Sequence, residues 1–223
     1  FIFNKKQDLE SIVDFGDRNL VKIDKLFGGI AYQFLIPDNL EVELFDLKFK
    51  SPIIASSFKS DKNLIGIWLK LGLGGAILKT IMKDERKGNS KPRLQQVRLE
   101  RQACLVNALG LPGEGVEKFS KAIIDNYLWN HKKPIGLSIG GENLDDYIKT
   151  FNVLDTMSNK LKSSKYFFEL NISCPNTDTG STIGDNIDEF ETLINHIRAK
   201  NDSVVSVKIS PDWNNDHLKK IGE

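Results

Sequence analysis

Five short apolar runs, separated by longer stretches of helical periodicity, constrain this chain more than any other feature of its sequence. The runs are Ser51–Ser57 (SPIIASS), Ala76–Thr80 (AILKT), Pro134–Ile139 (PIGLSI), Tyr166–Ile172 (YFFELNI) and Ser203–Ile209 (SVVSVKI). Their centres are continuously apolar rather than alternating, which is how strands buried on both faces read. Leu64, Ile65, Trp68, Leu69 and Leu71 share one helical face ahead of a Gly72-Leu73-Gly74-Gly75 stop. Val116–Trp129, with Phe119, Ile123 and Leu128, is a second helical stretch, and Leu144–Leu161 and Ile187–Ile197 are two more. Strand alternating with helix predicts parallel βαβ units.

Five such units fit either the opening of a TIM barrel or most of a doubly wound sheet. The ends of the runs favour the barrel. Four of them finish in polar residues suited to chemistry: Lys79 with Thr80, Ser138, Asn171 with Cys174, and Lys208 with Ser210. In a (β/α)8 barrel the C-terminal strand ends surround one shared site, whereas a doubly wound sheet concentrates its site at a single crevice.

The bulk properties narrow the function by exclusion. The 223 residues suit a single domain with one core. With 31 basic and 30 acidic residues the net charge is +1, so no electrostatic field favours nucleic acid. No apolar run reaches the roughly 20 residues needed to span a bilayer, and the N-terminus has no secretory signal pattern. Cys104 and Cys174 form no CxxC and are too sparse for a disulfide framework, which predicts a reducing, cytoplasmic setting. His131, His196 and His217 lack metal-ligand spacing, so no metal is expected. Internal repeats are absent.

The stretch richest in chemistry is Glu169–Thr177, ELNISCPNT. A strand ends near Ile172 and Pro175 turns the chain, which presents Asn171, Ser173, Cys174 and Asn176 on a constrained loop. Two carboxamides beside a thiol suit a planar, multiply hydrogen-bonded ligand from which the thiol moves a proton. A free thiol titrates near a pKa of about 8.5, so its surroundings must tune it to act as a base. The same residues also suit a small buried cysteine flanked by turn-capping asparagines.

ELNISCPN resembles the cysteine-bearing motif of class 1 dihydroorotate dehydrogenases, and five further matches follow the family's order. Leu47–Ser57 (LKFKSPIIASS) is similar to the first barrel strand, and Ile77–Thr80 (ILKT) to the second with its lysine. Arg86–Arg93 (RKGNSKPR) is similar to the loop beyond it, Asn107–Gly115 (NALGLPGEG) to the substrate loop, and Val207–Trp213 (VKISPDW) to the fifth strand. The likeness runs from about Glu41 to Pro211. It divides the chain into an N-terminal extension, residues 1–40, and a partial FMN-binding TIM-barrel domain, residues 41–223.

The resemblance implies oxidation of dihydroorotate to orotate in pyrimidine synthesis, with FMN as cofactor. Cys174 would take a proton from C5 of the substrate while a hydride passes from C6 to the flavin. Lys79 would hold both the substrate carboxylate and the flavin. Asn107, Asn171 and Asn176 would grip the pyrimidine ring, with backbone from Leu109, Gly110 and Leu111 closing nearby. Ala55, Ser56, Thr80 and Asn171 would line the flavin, and Lys208 would stabilise negative charge on its reduced pyrimidine edge. A cysteine base implies the soluble class over the membrane-associated one, and the family resemblance implies a homodimer; the electron acceptor, fumarate, NAD through a partner subunit or quinone, stays open.

Two departures accompany the match. Where the family usually has a glycine facing the flavin, this chain has Ser56-Ser57-Phe58-Lys59. Five strands also fall short of the eight that close a barrel, and the phosphate site usually follows strands seven and eight. An incomplete barrel is therefore expected, with its open side covered by a partner or by further chain. Two alternatives remain beside the enzyme: a non-catalytic assembly subunit retaining the fold, and a flavin enzyme reducing dihydropyrimidine-type rings.

Overall fold

The computed structural model describes residues 8–32, 35–161, 165–174 and 183–223. Its centre is a five-stranded, all-parallel sheet. The strands are β3 (Ile54–Ala55), β4 (Gly75–Ile81), β9 (Ile135–Ile139), β10 (Tyr166–Asn171) and β11 (Val205–Lys208). Each strand pairs with the next in sequence, in the order β11-β10-β9-β4-β3. Helices α2 (Lys62–Lys70), α3 (Val116–Ile123), α4 (Leu144–Ser158) and α5 (Ile187–Arg198) form the crossovers, and α6 (Asn215–Gly222) follows β11. Nearest-neighbour parallel order with a helix in every crossover is the sequence of a (β/α)8 barrel, here present as five units.

Successive strand residues face opposite sides of the sheet, and two separate cores show it. On the helix side, Leu78, Leu137, Phe168 and Leu170 pack with Ile65, Phe119, Phe151 and Leu193. On the barrel side, Ile77 and Phe167 meet Leu47 and Phe49. Those two come from a hairpin, β1 (Val42–Leu44) with β2 (Leu47–Phe49), that plugs the floor of the barrel. Gly136 lies in register between Ile77 and Phe167. A Cβ there would come within 2.7 Å of the Phe167 ring and 2.9 Å of Ile77, so only glycine fits the floor layer.

The helix starts are chemically marked. Asp61, Asn143, Asn186 and Asn214 each accept a backbone N–H in the first turn of α2, α4, α5 and α6. The helical stretch expected over Val116–Trp129 divides instead. α3 stops at Ile123, and Tyr127–His131 forms a 3-10 turn. Asn126 is the cause, because its side chain accepts the Leu128 N–H at 3.0 Å and ends the α-helical ladder. The first strand is also shorter than Ser51–Ser57, since Pro52 donates no ladder hydrogen bond and β3 is an edge.

Two strand pairs and one helix also lie outside the βα pattern. β6 (Leu94–Leu99) and β7 (Gln102–Asn107) form an antiparallel hairpin, and β5 (Glu85–Arg86) pairs with β8 (Gly113–Glu114). α1 (Glu10–Ala31) is a 22-residue helix without a buried side chain. Among the described residues no helix is long and apolar enough to cross a membrane.

Candidate active site

The site grows from an irregularity in β4. Leu78 pairs with Leu137 and Ile81 with Ile139, so Lys79 and Thr80 together stand opposite the single residue Ser138. Such a bulge re-aims side chains at a strand end. Thr80 is buried, and its Oγ1 lies 3.1 Å from Ser138 Oγ. Asn171, at the end of β10, donates from Nδ2 to Thr80 Oγ1 at 2.8 Å. Three neighbouring strand ends are thus tied by one buried polar chain. The Tyr147 hydroxyl, from α4, donates to the Asn171 carbonyl at 2.7 Å and braces the same point from outside. Burial pushes that phenol well above its ordinary range, so it stays a donor.

Asn171 Oδ1 is buried and has no hydrogen-bond partner among the described residues. A buried acceptor without a partner costs about 1–3 kcal/mol, a cost that a ligand donor would remove. Next to it, Lys208 stands opposite Asn171 in the β10–β11 register. Cys174 follows three residues beyond Asn171 and is half-exposed. Asn176 lies outside the described residues.

Lys79 is the electrostatic centre. Burial lowers its pKa, and the positive charges of Lys59, Arg93 and Lys208 lower it further, against an opposing pull from Cys174. One lysine therefore has three cations and the thiol for neighbours. Its Nζ lies 5.8 Å from the centre of the Phe58 ring, with Lys59 Nζ at 5.9 Å from the same ring. Clustered positive charge beside a half-buried thiol suits a planar anion, particularly a carboxylate next to an ionisable C–H.

The other expected site residues divide between two places. Leu109 lines a cleft of about 160 Å³ together with Lys79, Phe58 and Lys59. Gly110 and Leu111 behind it hold positive φ, 73° and 50°, and Leu111 is buried. Asn107 ends β7 with an exposed side chain. Ala55 and Ser56 line a separate apolar groove with Trp68 and Leu73, with Phe58 common to both openings. The Ser56–Lys59 run therefore sets Phe58 between the two.

Three participants escaped the motif-based reading. Arg93 and Lys59 reach the charge cluster from loops, and Glu10 comes from α1, whose carboxylate bonds Arg93 Nε at 3.0 Å. A signal for the last was present: Glu10, Asp17 and Asp24 recur every seven residues. Among the described residues no cluster of three or more His, Cys, Asp or Glu is placed to hold a metal.

Fold and site together define a partial (β/α)8-barrel protein whose strand ends gather lysines, a thiol and a buried carboxamide around one opening. The dihydroorotate dehydrogenase family model matches residues 39–222, and the chain belongs to that family. The quinone-type dihydroorotate dehydrogenase of Christiangramia forsetii is 30% identical over 98% of this chain and 65% of its own length. The catalytic subunit of the NAD(+)-type enzyme B of Pyrococcus horikoshii is 30% identical over 82% of this chain and 56% of its own. A crystal structure of the Eimeria tenella dihydroorotate dehydrogenase in complex with ferulenol superposes with a TM-score of 0.70. It shares 18% identity and covers 99% of this chain and 64% of that one. The chain thus spans about two thirds or less of the relatives it matches.

Proposed function

We propose that the protein containing this chain oxidises dihydroorotate to orotate with FMN, in pyrimidine synthesis. The observation that carries the proposal is the gathering of Cys174 and Lys208 around Lys79, with Lys208 in register beside the buried carboxamide of Asn171. The donor set fits FMN: Asn171 and Thr80 offer hydrogen bonds at the strand ends, and Lys79 and Lys208 offer positive charge to an electron-rich ring. Ala55 and Ser56 would lie along the ring from the β3 side, and residues 41–223 would form the flavin-binding part of the barrel.

When bound, FMN supplies a hydride acceptor, which none of the side chains can be. The chain's own residues would do the rest. Lys79 and the carboxamides of Asn107, Asn171 and Asn176 would orient the substrate, with Leu109, Gly110 and Leu111 closing over it. Cys174 would remove the C5 proton as general base. Relatives of quinone, NAD and fumarate types all match the chain. The cysteine at position 174 favours the soluble, cytoplasmic, dimeric type.

The full-length protein, purified without added flavin, is expected to be yellow and to release FMN on denaturation. Orotate should shift the spectrum of the bound flavin. A colourless preparation that does not take up FMN would favour the non-catalytic assembly role. A preparation whose flavin responds to uracil-like rings and not to orotate would favour the dihydropyrimidine-type alternative.

A further inference from the structure

We propose that α1 is a charge-latched lid over the cleft that holds Lys79. The helix has 22 residues and none is fully buried, so it lacks a packed apolar core of its own against the barrel. Its attachment is a row of carboxylates. Glu10, Asp17 and Asp24 lie seven residues apart, close to two helical turns, and so fall on one face. Each holds cations from a different part of the barrel. Glu10 pairs with Arg93 at 3.0 Å and Lys91 at 2.9 Å, Asp17 with Lys59 at 2.7 Å, and Asp24 with Lys70 at 2.7 Å. The hydrogen bonds from Arg93 and Lys91 outweigh the effect of burial and hold the Glu10 carboxyl below its usual range.

The latched face closes a cleft. Val13 and Asp14 of α1 form one wall, and Phe58, Lys79 and Leu109 form the other. Two of the latch cations, Arg93 and Lys59, are also neighbours of Lys79. Partly solvated ion pairs are individually weak and are screened by salt. A helix held by three such clusters opens as a local unit while the barrel stays folded. An anion entering beside Lys79 competes with Glu10 and Asp17 for the same cations, so ligand entry and lid release are coupled. The inference needs only an anionic ligand and does not depend on which one the cleft takes.

The test is hydrogen exchange on the full-length protein, combined with acetylation of Lys79 followed by peptide mass. In the triple variant Glu10→Gln, Asp17→Asn, Asp24→Asn, protection of α1 amides should fall by roughly tenfold, the sum expected of three half-exposed pairs. Lys79 acetylation should rise several-fold, while β9 amides keep their protection. Salt at roughly 1 M, where the screening length is about 3 Å, should reproduce the effect in the unaltered protein. The swapped pair Asp24→Lys with Lys70→Asp should keep protection close to that of the unaltered protein. Protection of α1 unchanged in both the triple variant and high salt would overturn the proposal. So would a loss of protection without faster Lys79 acetylation, or an equal loss in β9, which would mean global unfolding.

Discussion

Replacing Cys174 with alanine is expected to slow reduction of the bound flavin by dihydroorotate by about 10²–10⁴-fold, the usual contribution of a positioned general base. The substitution removes one thiol from a half-exposed loop position, so the core should be undisturbed. Orotate should therefore still bind, because its grip is assigned to Lys79 and the carboxamides. Anaerobic rapid mixing measures the rate, and an orotate titration of the flavin spectrum measures the binding. A variant that reduced its flavin as fast as the parent would show that some other group takes the proton.

Replacing Lys79 with glutamine is the second large effect, and it should appear in binding. A charge-assisted hydrogen bond contributes roughly 1.5–3 kcal/mol, so orotate affinity should fall by about ten- to a hundredfold. The pH dependence has a definite sign. Burial, reinforced by Lys59, Arg93 and Lys208, lowers the Lys79 pKa in the folded protein. The ammonium is needed for the anion, so affinity should decline as pH rises through that lowered value, earlier than for an ordinary lysine near a pKa of about 10.4. In the same window the unfolded chain binds more protons than the ligand-free folded one, so the Lys79 contribution to stability rises with pH. The glutamine variant should lack both trends. Calorimetric titration across pH checks the affinity, and denaturant unfolding checks the stability.

How much of this was legible in the sequence follows from what kind of interaction each feature rests on. β4, β9, β10 and β11 were readable because strands buried on two faces must be apolar throughout. The site at their ends was readable because Lys79, Thr80, Asn171 and Lys208 are polar interruptions of those runs. The β4 bulge was not readable. It depends on register against β9, and Lys79-Thr80 looks the same in sequence whether one or both residues oppose Ser138. The split of the third helix was missed because periodicity continues through Leu128 while a single carboxamide, Asn126, ends the helix. α1 was read only as an extension, because carboxylates at seven-residue spacing do not register in a search for apolar strand and helix cores. The Phe58 position, noted in sequence only as a missing glycine, brings an aromatic ring within 5.9 Å of the ammonium groups of both Lys59 and Lys79.

On the proposed function, the strand ends around Asn171 bind a flavin and deliver dihydroorotate to it. The direct measurement is anaerobic addition of dihydroorotate to the full-length, FMN-loaded protein while its visible flavin absorbance is followed. Prompt bleaching is expected, with one equivalent of orotate formed per flavin. A flavin-loaded protein that binds orotate yet keeps its colour under excess dihydroorotate would contradict it.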